Sequence, residues 1–168
     1  MLPINFFCNI ELNRLTDQLN NMRKLFVLSI TMLFAFAVFA QDESKVVGTW
    51  LTQYGDSKVT ISKDAKGKFN GEISWLREPN KNGKPKVDDK NPDVKLQSRP
   101  IMGLRLLDGF TYNQKDKEWV DGKIYDPKEG KTYKCLMWFE DNNYEKLHVK
   151  GYIGFSLIGK EVVWTLDK

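Results

Sequence analysis

Phe69-Asn70-Gly71-Glu72-Ile73-Ser74-Trp75-Leu76 alternates bulky apolar residues with polar or small ones. Successive side chains of an extended chain point to opposite sides, so Phe69, Ile73 and Trp75 share one face while Asn70, Glu72 and Ser74 share the other. Lys58-Val59-Thr60-Ile61-Ser62 repeats the pattern one step earlier. A period of two means a strand with one buried face. No segment after Ala40 sustains an apolar period of 3.6 residues; instead, short runs rich in Val, Ile, Thr, Tyr, Phe and Trp are separated by Gly, Asp, Asn and Pro. Strands are predicted at 46–53, 57–63, 68–76, 101–107, 109–115, 118–125, 131–139, 144–152 and 160–166. Turn chemistry punctuates them at Gly55-Asp56, Asp64 to Gly67, Asp108-Gly109, Asp126 to Gly130 and Asp141 to Asn143.

The expected fold is all-β. Short sequential strands form an antiparallel meander, which avoids bare edges by closing on itself as a barrel of about eight strands. Such a barrel is filled by its own side chains or holds one small ligand. An open sandwich is the alternative. Arg77 to Pro100 breaks the rhythm with 24 residues that include Pro79, Pro85, Pro92 and Pro100 and little that is apolar. Loops of this length are functional or disordered. Four fixed φ angles favour a stiff loop, placed as a lid over one barrel mouth.

The N-terminal part reads differently. Arg23-Lys24 precedes an apolar run from Leu25 to Ala40, interrupted only by Ser29 and Thr31 and ending Val38-Phe39-Ala40. Cation, apolar run and small-residue end make the layout of a secretory signal. The run is shorter than the roughly 20 apolar residues a membrane span needs. Residues 22–40 are therefore expected to be a signal peptide and 1–21 a gene-model extension. Residues 41–168 are then the single barrel domain, exported to the periplasm or secreted. Cleavage after Ala40 leaves 128 residues, enough for one self-sufficient core, with no later segment able to span a membrane.

In that part 23 Lys and Arg face 20 Asp and Glu, too small and too interleaved an excess to imply nucleic acid. Cys8 lies upstream, so Cys135 is left without a disulfide partner.

Four groups of residues could carry chemistry. Asp88-Asp89-Lys90-Asn91-Pro92-Asp93 gathers three carboxylates, but a calcium loop counted from Asp89 needs Gly sixth and an acid twelfth, where Val94 and Pro100 stand. No metal and no cofactor are expected. Arg99 could grip a ligand carboxylate, or pin its own loop through Asp88, Asp89 or Asp93. Cys135 and His148 would face each other in a hairpin turning on Asp141-Asn142, giving a nucleophilic dyad. Against this, Cys135 alternates with Tyr133, Met137 and Phe139, as a buried and inert thiol would. Trp50, Trp75 and Tyr125, with Asp93 and Arg99, complete the candidate ligand-binding set.

Gly48-Thr49-Trp50 looks like the Gly-x-Trp that opens lipocalin and calycin barrels, where the Trp closes one end. Gly71 to Leu76, Asn91-Pro92-Asp93 with Arg99-Pro100, and Gly103 to Phe110 follow in order. So do Ile124-Tyr125-Asp126-Pro127 with Gly130 to Tyr133, and Val149 to Gly154. Together these blocks resemble the bacterial family called domain of unknown function 2147, and Lys160 and Leu166 depart from it. The resemblance implies an exported protein and a small calycin-like barrel. It supplies no catalytic residue.

The leading reading is a non-catalytic barrel in the cell envelope that binds a small or elongated, lipid-like ligand under the proline-rich loop. The alternatives are an interaction or inhibitor protein presenting loop 77–100 to another envelope protein, and an enzyme using Cys135 and His148. The export reading has a direct check: intact-mass measurement of exported protein should give Gln41 as the first residue. A cytoplasmic full-length product would contradict it.

Overall fold

A computed structural model describes residues 18, 19, 22–24 and 42–168. The chain forms two compact units, Met1–Gln41 and Asp42–Lys168. Of the first, only exposed helical residues at 18, 19 and 22–24 are described, so the expected signal run and its cleavage point lie outside the described residues. No helix among the described residues is long and apolar enough to cross a membrane.

The second unit is an antiparallel barrel. Its strands are β1 (Gly48–Leu51), β2 (Ser57–Lys63), β3 (Phe69–Leu76), β6 (Arg105–Asn113), β7 (Glu118–Asp126), β8 (Lys131–Phe139), β9 (Lys146–Tyr152) and β10 (Gly159–Leu166). Each pairs with the next, and β1 closes on β10 through Trp50↔Leu166 and Leu51↔Thr165. Between β3 and β6 stands a small hairpin, β4 (Asn80–Lys81) and β5 (Lys84–Pro85). Closure removes the exposed edges that an open meander would keep.

The two ends of the barrel differ. At one end Trp50, Phe69, Trp119 and Phe139 pack ring against ring, with centroids 5.5 to 6.3 Å apart along the chain of contacts. Tyr112 and Tyr144 extend the cluster at 4.9 and 5.2 Å. A 3-10 turn at Ser44–Val46 lies across this end, where buried Val46 offers its carbonyl to the Trp50 indole N–H at 2.9 Å. Trp50 thus closes the barrel, as the Gly-x-Trp resemblance implies. Among the described residues, the buried apolar core runs from Val46 to Trp164 and lies in the second unit.

Three sequence expectations are corrected. The predicted strands 101–107 and 109–115 are one strand: Asp108-Gly109 does not turn back, and Gly109 takes φ +78° inside β6 while its N–H donates to Asn70 Oδ1 at 2.9 Å. Residues 101–104 instead form a turn whose Leu104 is buried and whose backbone bonds to Ile73. Trp75 does not share a face with Ile73. The register slips between Lys58 and Val59, so Trp75 pairs with Lys58 and its ring lies 39% exposed beneath the Lys58 ammonium, with Nζ 5.5 Å from its centroid. One extra residue in a strand reverses the parity of everything beyond it. Finally, Cys135 pairs with Gly151, and His148 with Trp138.

Gly122 is buried where β7 crosses under Phe110, and a Cβ there would overlap that ring. Replacing Gly122 with Ala should lower unfolding stability by about 1–3 kcal/mol, the usual cost of an overpacked core. Chemical denaturation measures it, and an unchanged midpoint would show that Phe110 is free to move.

Candidate functional site

The other end of the barrel is open. A cavity of about 1800 Å³ opens at the end where β3, β7 and β9 finish. Its deeper walls are apolar, with Ile73, Leu76, Ile124, Val149, Val162 and Trp164. Apart from Trp164, those walls are aliphatic and smaller than the rings that fill the closed end. Gly151 widens the cavity further, since a Cβ there would stand 3.2 Å from Ile124.

The segment from Arg77 to Pro100 builds one wall of the mouth, contributing Lys81, Pro85, Val87, Asp89 and Lys90. Four features order it. Asn82-Gly83, with φ +53° and +75°, turns β4 into β5 as a type I′ hairpin requires. Lys86 N–H donates to Pro79, Ile101 N–H to Lys86 and Asp88 N–H to Arg99, all at 2.8 to 3.0 Å. Asp93 caps the short 3-10 turn Val94–Leu96 by accepting from Lys95 N–H at 3.0 Å. The fourth feature is the Asp88 carboxylate.

Asp88 is fully buried. Arg99 reaches its Oδ2 with Nε at 2.9 Å and Nη2 at 2.8 Å. Asn91 Nδ2 donates to the same oxygen at 2.7 Å, and the Tyr125 hydroxyl on β7 donates to Oδ1 at 2.7 Å. Asn91 Nδ2 also approaches the Tyr125 oxygen at 3.1 Å, and the Arg99 guanidinium lies 5.5 Å from the Tyr125 ring centre. Burial pushes the Asp88 carboxyl upward, but the bonds from Tyr125, Asn91 and Arg99 outweigh it, leaving Asp88 below the usual aspartate value. Tyr125 is raised, first by burial and then by its bond to Asp88. A second clamp lies beside this one. Gly130 has φ +68° in the turn after β7, and a Cβ there would overlap the Lys90 carbonyl.

The candidate residues therefore separate. Tyr125 borders the cavity, and Arg99 and Tyr125 meet over Asp88. Trp50 lies in the closed end, Trp75 lies on the outer face, and Asp93 serves as a cap. Of the carboxylates offered for Arg99, Asp88 is the one used; both Arg99 nitrogens converge on Oδ2, while Tyr125 donates to Oδ1. Tyr125 as the anchor on the barrel wall had no sequence signal beyond its place in a quoted block. The Asn82-Gly83 hairpin did have one, since Asn-Gly is the strongest short turn signal.

The Cys135/His148 dyad does not form. Cys135 is buried in the core with its thiol pushed up to about 12, chiefly by burial. His148 stacks on Trp138 at 5.1 Å and meets Glu161 at 2.9 Å instead. The expected pairing was three residues out of register, which moves the imidazole to the opposite side of the sheet. Among the described residues no group of three or more His, Cys, Asp and Glu is placed to hold a metal ion.

The sequence profile of a family described as an uncharacterized protein conserved in bacteria, DUF2147, matches residues 48–166. Among solved structures, the barrel is similar to a protein from Helicobacter pylori described as belonging to the lipocalin family. The likeness has a TM-score of 0.61 and 25% identity, and covers 73% of this chain and 83% of that one. No curated protein matches the sequence.

The Asp88 cluster generates a signed prediction. Its depressed carboxyl contributes stability that is present above the ordinary aspartate range and is lost as pH falls through the folded value. Amide protection factors at Asp88 and Ile101 should hold from neutrality down to about pH 4 and fall below it. Tyr125→Phe should speed that exchange about tenfold at neutral pH, the effect of losing one hydrogen bond to a charged group. Unchanged exchange in the variant would mean that the loop is held elsewhere.

Proposed function

The chain belongs to the DUF2147 family of bacterial proteins, and from that premise we propose that it is an exported, non-catalytic binding barrel of the cell envelope. The ligand is an elongated amphiphile. The observation that carries this reading is the cavity: about 1800 Å³, apolar in its depth and lined at its rim by Lys81, Lys84, Lys90 and Lys160. Typical sites for small molecules are about 300–1,000 Å³, so the space suits a chain longer than a drug-sized compound. Apolar walls take the tail, and the ammonium groups at the rim favour an anionic head. The lipocalin-like fold supports the same reading, because eight-stranded barrels of that kind hold one ligand inside. Export rests on the cation–apolar–small layout of residues 22–40.

Tyr125 and Arg99 enter this reading as builders of the mouth. Their polar groups are already engaged by Asp88, so they shape the opening without needing the ligand to satisfy them.

Native mass spectrometry of protein purified from its own envelope should show a retained amphiphile. Ile124→Trp combined with Val162→Trp, two bulky insertions from β7 and β10 into the hollow, should weaken binding of a fluorescent fatty acid more than about tenfold. That loss corresponds to about 1.4 kcal/mol. The circular dichroism of the barrel should be retained. If the double variant binds as the parent does, the ligand does not enter the cavity.

A further inference from the structure

The loop between β9 and β10 exposes four large apolar side chains within six residues. Ile153 is 77% exposed, Phe155 82%, Leu157 89% and Ile158 79%. The turns at the closed end are made of residues such as Gln114, Lys115 and Asp116 or Asp141, Asn142 and Asn143, as turns in water usually are. A contiguous apolar patch on one loop marks a contact surface. Ile153 and Ile158 also line the cavity, so the patch stands on its lip.

We propose that this lip docks on an anionic lipid bilayer, with Phe155 and Leu157 inserted below the headgroups and the cavity mouth turned toward the membrane. Charge complementarity selects that occupant. The residues lining the mouth include seven Lys and Arg against five Asp and Glu. Three of those carboxylates are paired within the protein, Glu78 with Lys86, Asp56 with Lys128 and Glu129 with Lys131, which leaves five of the seven cations against Asp89 and Asp126. Lys81, Lys84 and Lys90 stand exposed with no ion pair among the described residues. An apolar tip ringed by long cationic side chains matches a bilayer, whose hydrocarbon begins just beneath a negative surface. A protein partner is disfavoured by residue type. The tip residues Ile153, Phe155, Leu157 and Ile158 carry no hydrogen-bonding ends, and none of them is the Trp, Tyr or Arg that dominates protein interfaces. Docking rests on the lip and its charges, independently of what the hollow contains.

The test uses residues 42–168, the compact unit that contains the closed barrel and the buried core of the described residues. Cys135 is buried there, so Phe155→Cys supplies the reactive thiol for an environment-sensitive dye. With vesicles of phosphatidylglycerol and phosphatidylcholine the dye should shift to the blue and brighten, whereas the same dye on Asp141→Cys, at the closed end, should not respond. Phe155→Ser with Leu157→Ser should abolish vesicle sedimentation. Lys81→Gln with Lys84→Gln should weaken it about 25-fold, at about fivefold for each lysine lost near an anionic surface. These side chains are exposed, so the barrel's circular dichroism should be unchanged in every variant. A silent dye at position 155, or equal binding to phosphatidylcholine alone, overturns the proposal. A dye that shifts with protein concentration and without vesicles also overturns it, by showing that the lip covers a second copy of the chain.

Discussion

The Asp88 carboxylate organises the open end of this barrel. A segment as polar as residues 77–100 has almost no apolar area with which to hold itself down, and ordering it costs conformational entropy at every residue. Asp88 resolves this by accepting from Arg99, Asn91 and Tyr125 at once. Two of those donors lie in the segment and the third on β7, so one buried anion joins the loop to itself and to the wall. Removing a buried carboxylate from water is expensive unless every lone pair finds a donor. Here the donors are supplied, including one permanent cation. The excursion is therefore an ordered extension of the barrel wall. The Gly130–Lys90 approach, possible only without a side chain on the glycine, keeps the two pieces in register.

That arrangement divides the barrel into two halves with different jobs. The closed half spends its large side chains on stability: Trp50, Phe69, Trp119 and Phe139 each bring extensive area and favourable edge-to-face or tilted contacts. The open half is walled by Ile73, Leu76, Ile124, Val149, Val162 and Trp164, with Gly151 among them. A hollow is stable only where its surroundings cannot relax into it. Barrel closure and the Asp88 anchor together prevent that relaxation.

Much of the fold was legible because strand periodicity and turn chemistry are local. The alternation around Val59 and Phe69, the turns at Asp64 and Asp126, and the Gly-x-Trp opening all read correctly. What failed depended on inserted residues, one at each bulge and three in a turn. The bulge near Ser74 turned Trp75 outward, the bulge at Gly109 fused two predicted strands, and a longer turn after β8 shifted His148 away from Cys135. Sequence alternation gives no warning of a bulge, since either parity looks plausible until its partner strand is known. The site followed the same division. Arg99 and the nearby aspartates were visible as a group, because charge density in a loop is a composition signal. Which aspartate is buried, and that Tyr125 meets it from 37 residues away, depends on tertiary closure.

The central claim is that a loop held by one buried carboxylate borders a hollow made to be occupied. An experimental high-resolution structure of the protein, purified from the cells that make it, tests this most directly. The account predicts elongated non-water density between Ile73, Ile124 and Trp164, with Asp88 still bonded to Arg99 and Tyr125. An interior collapsed onto its own side chains, or an Asp88 open to solvent with the loop displaced, would contradict it.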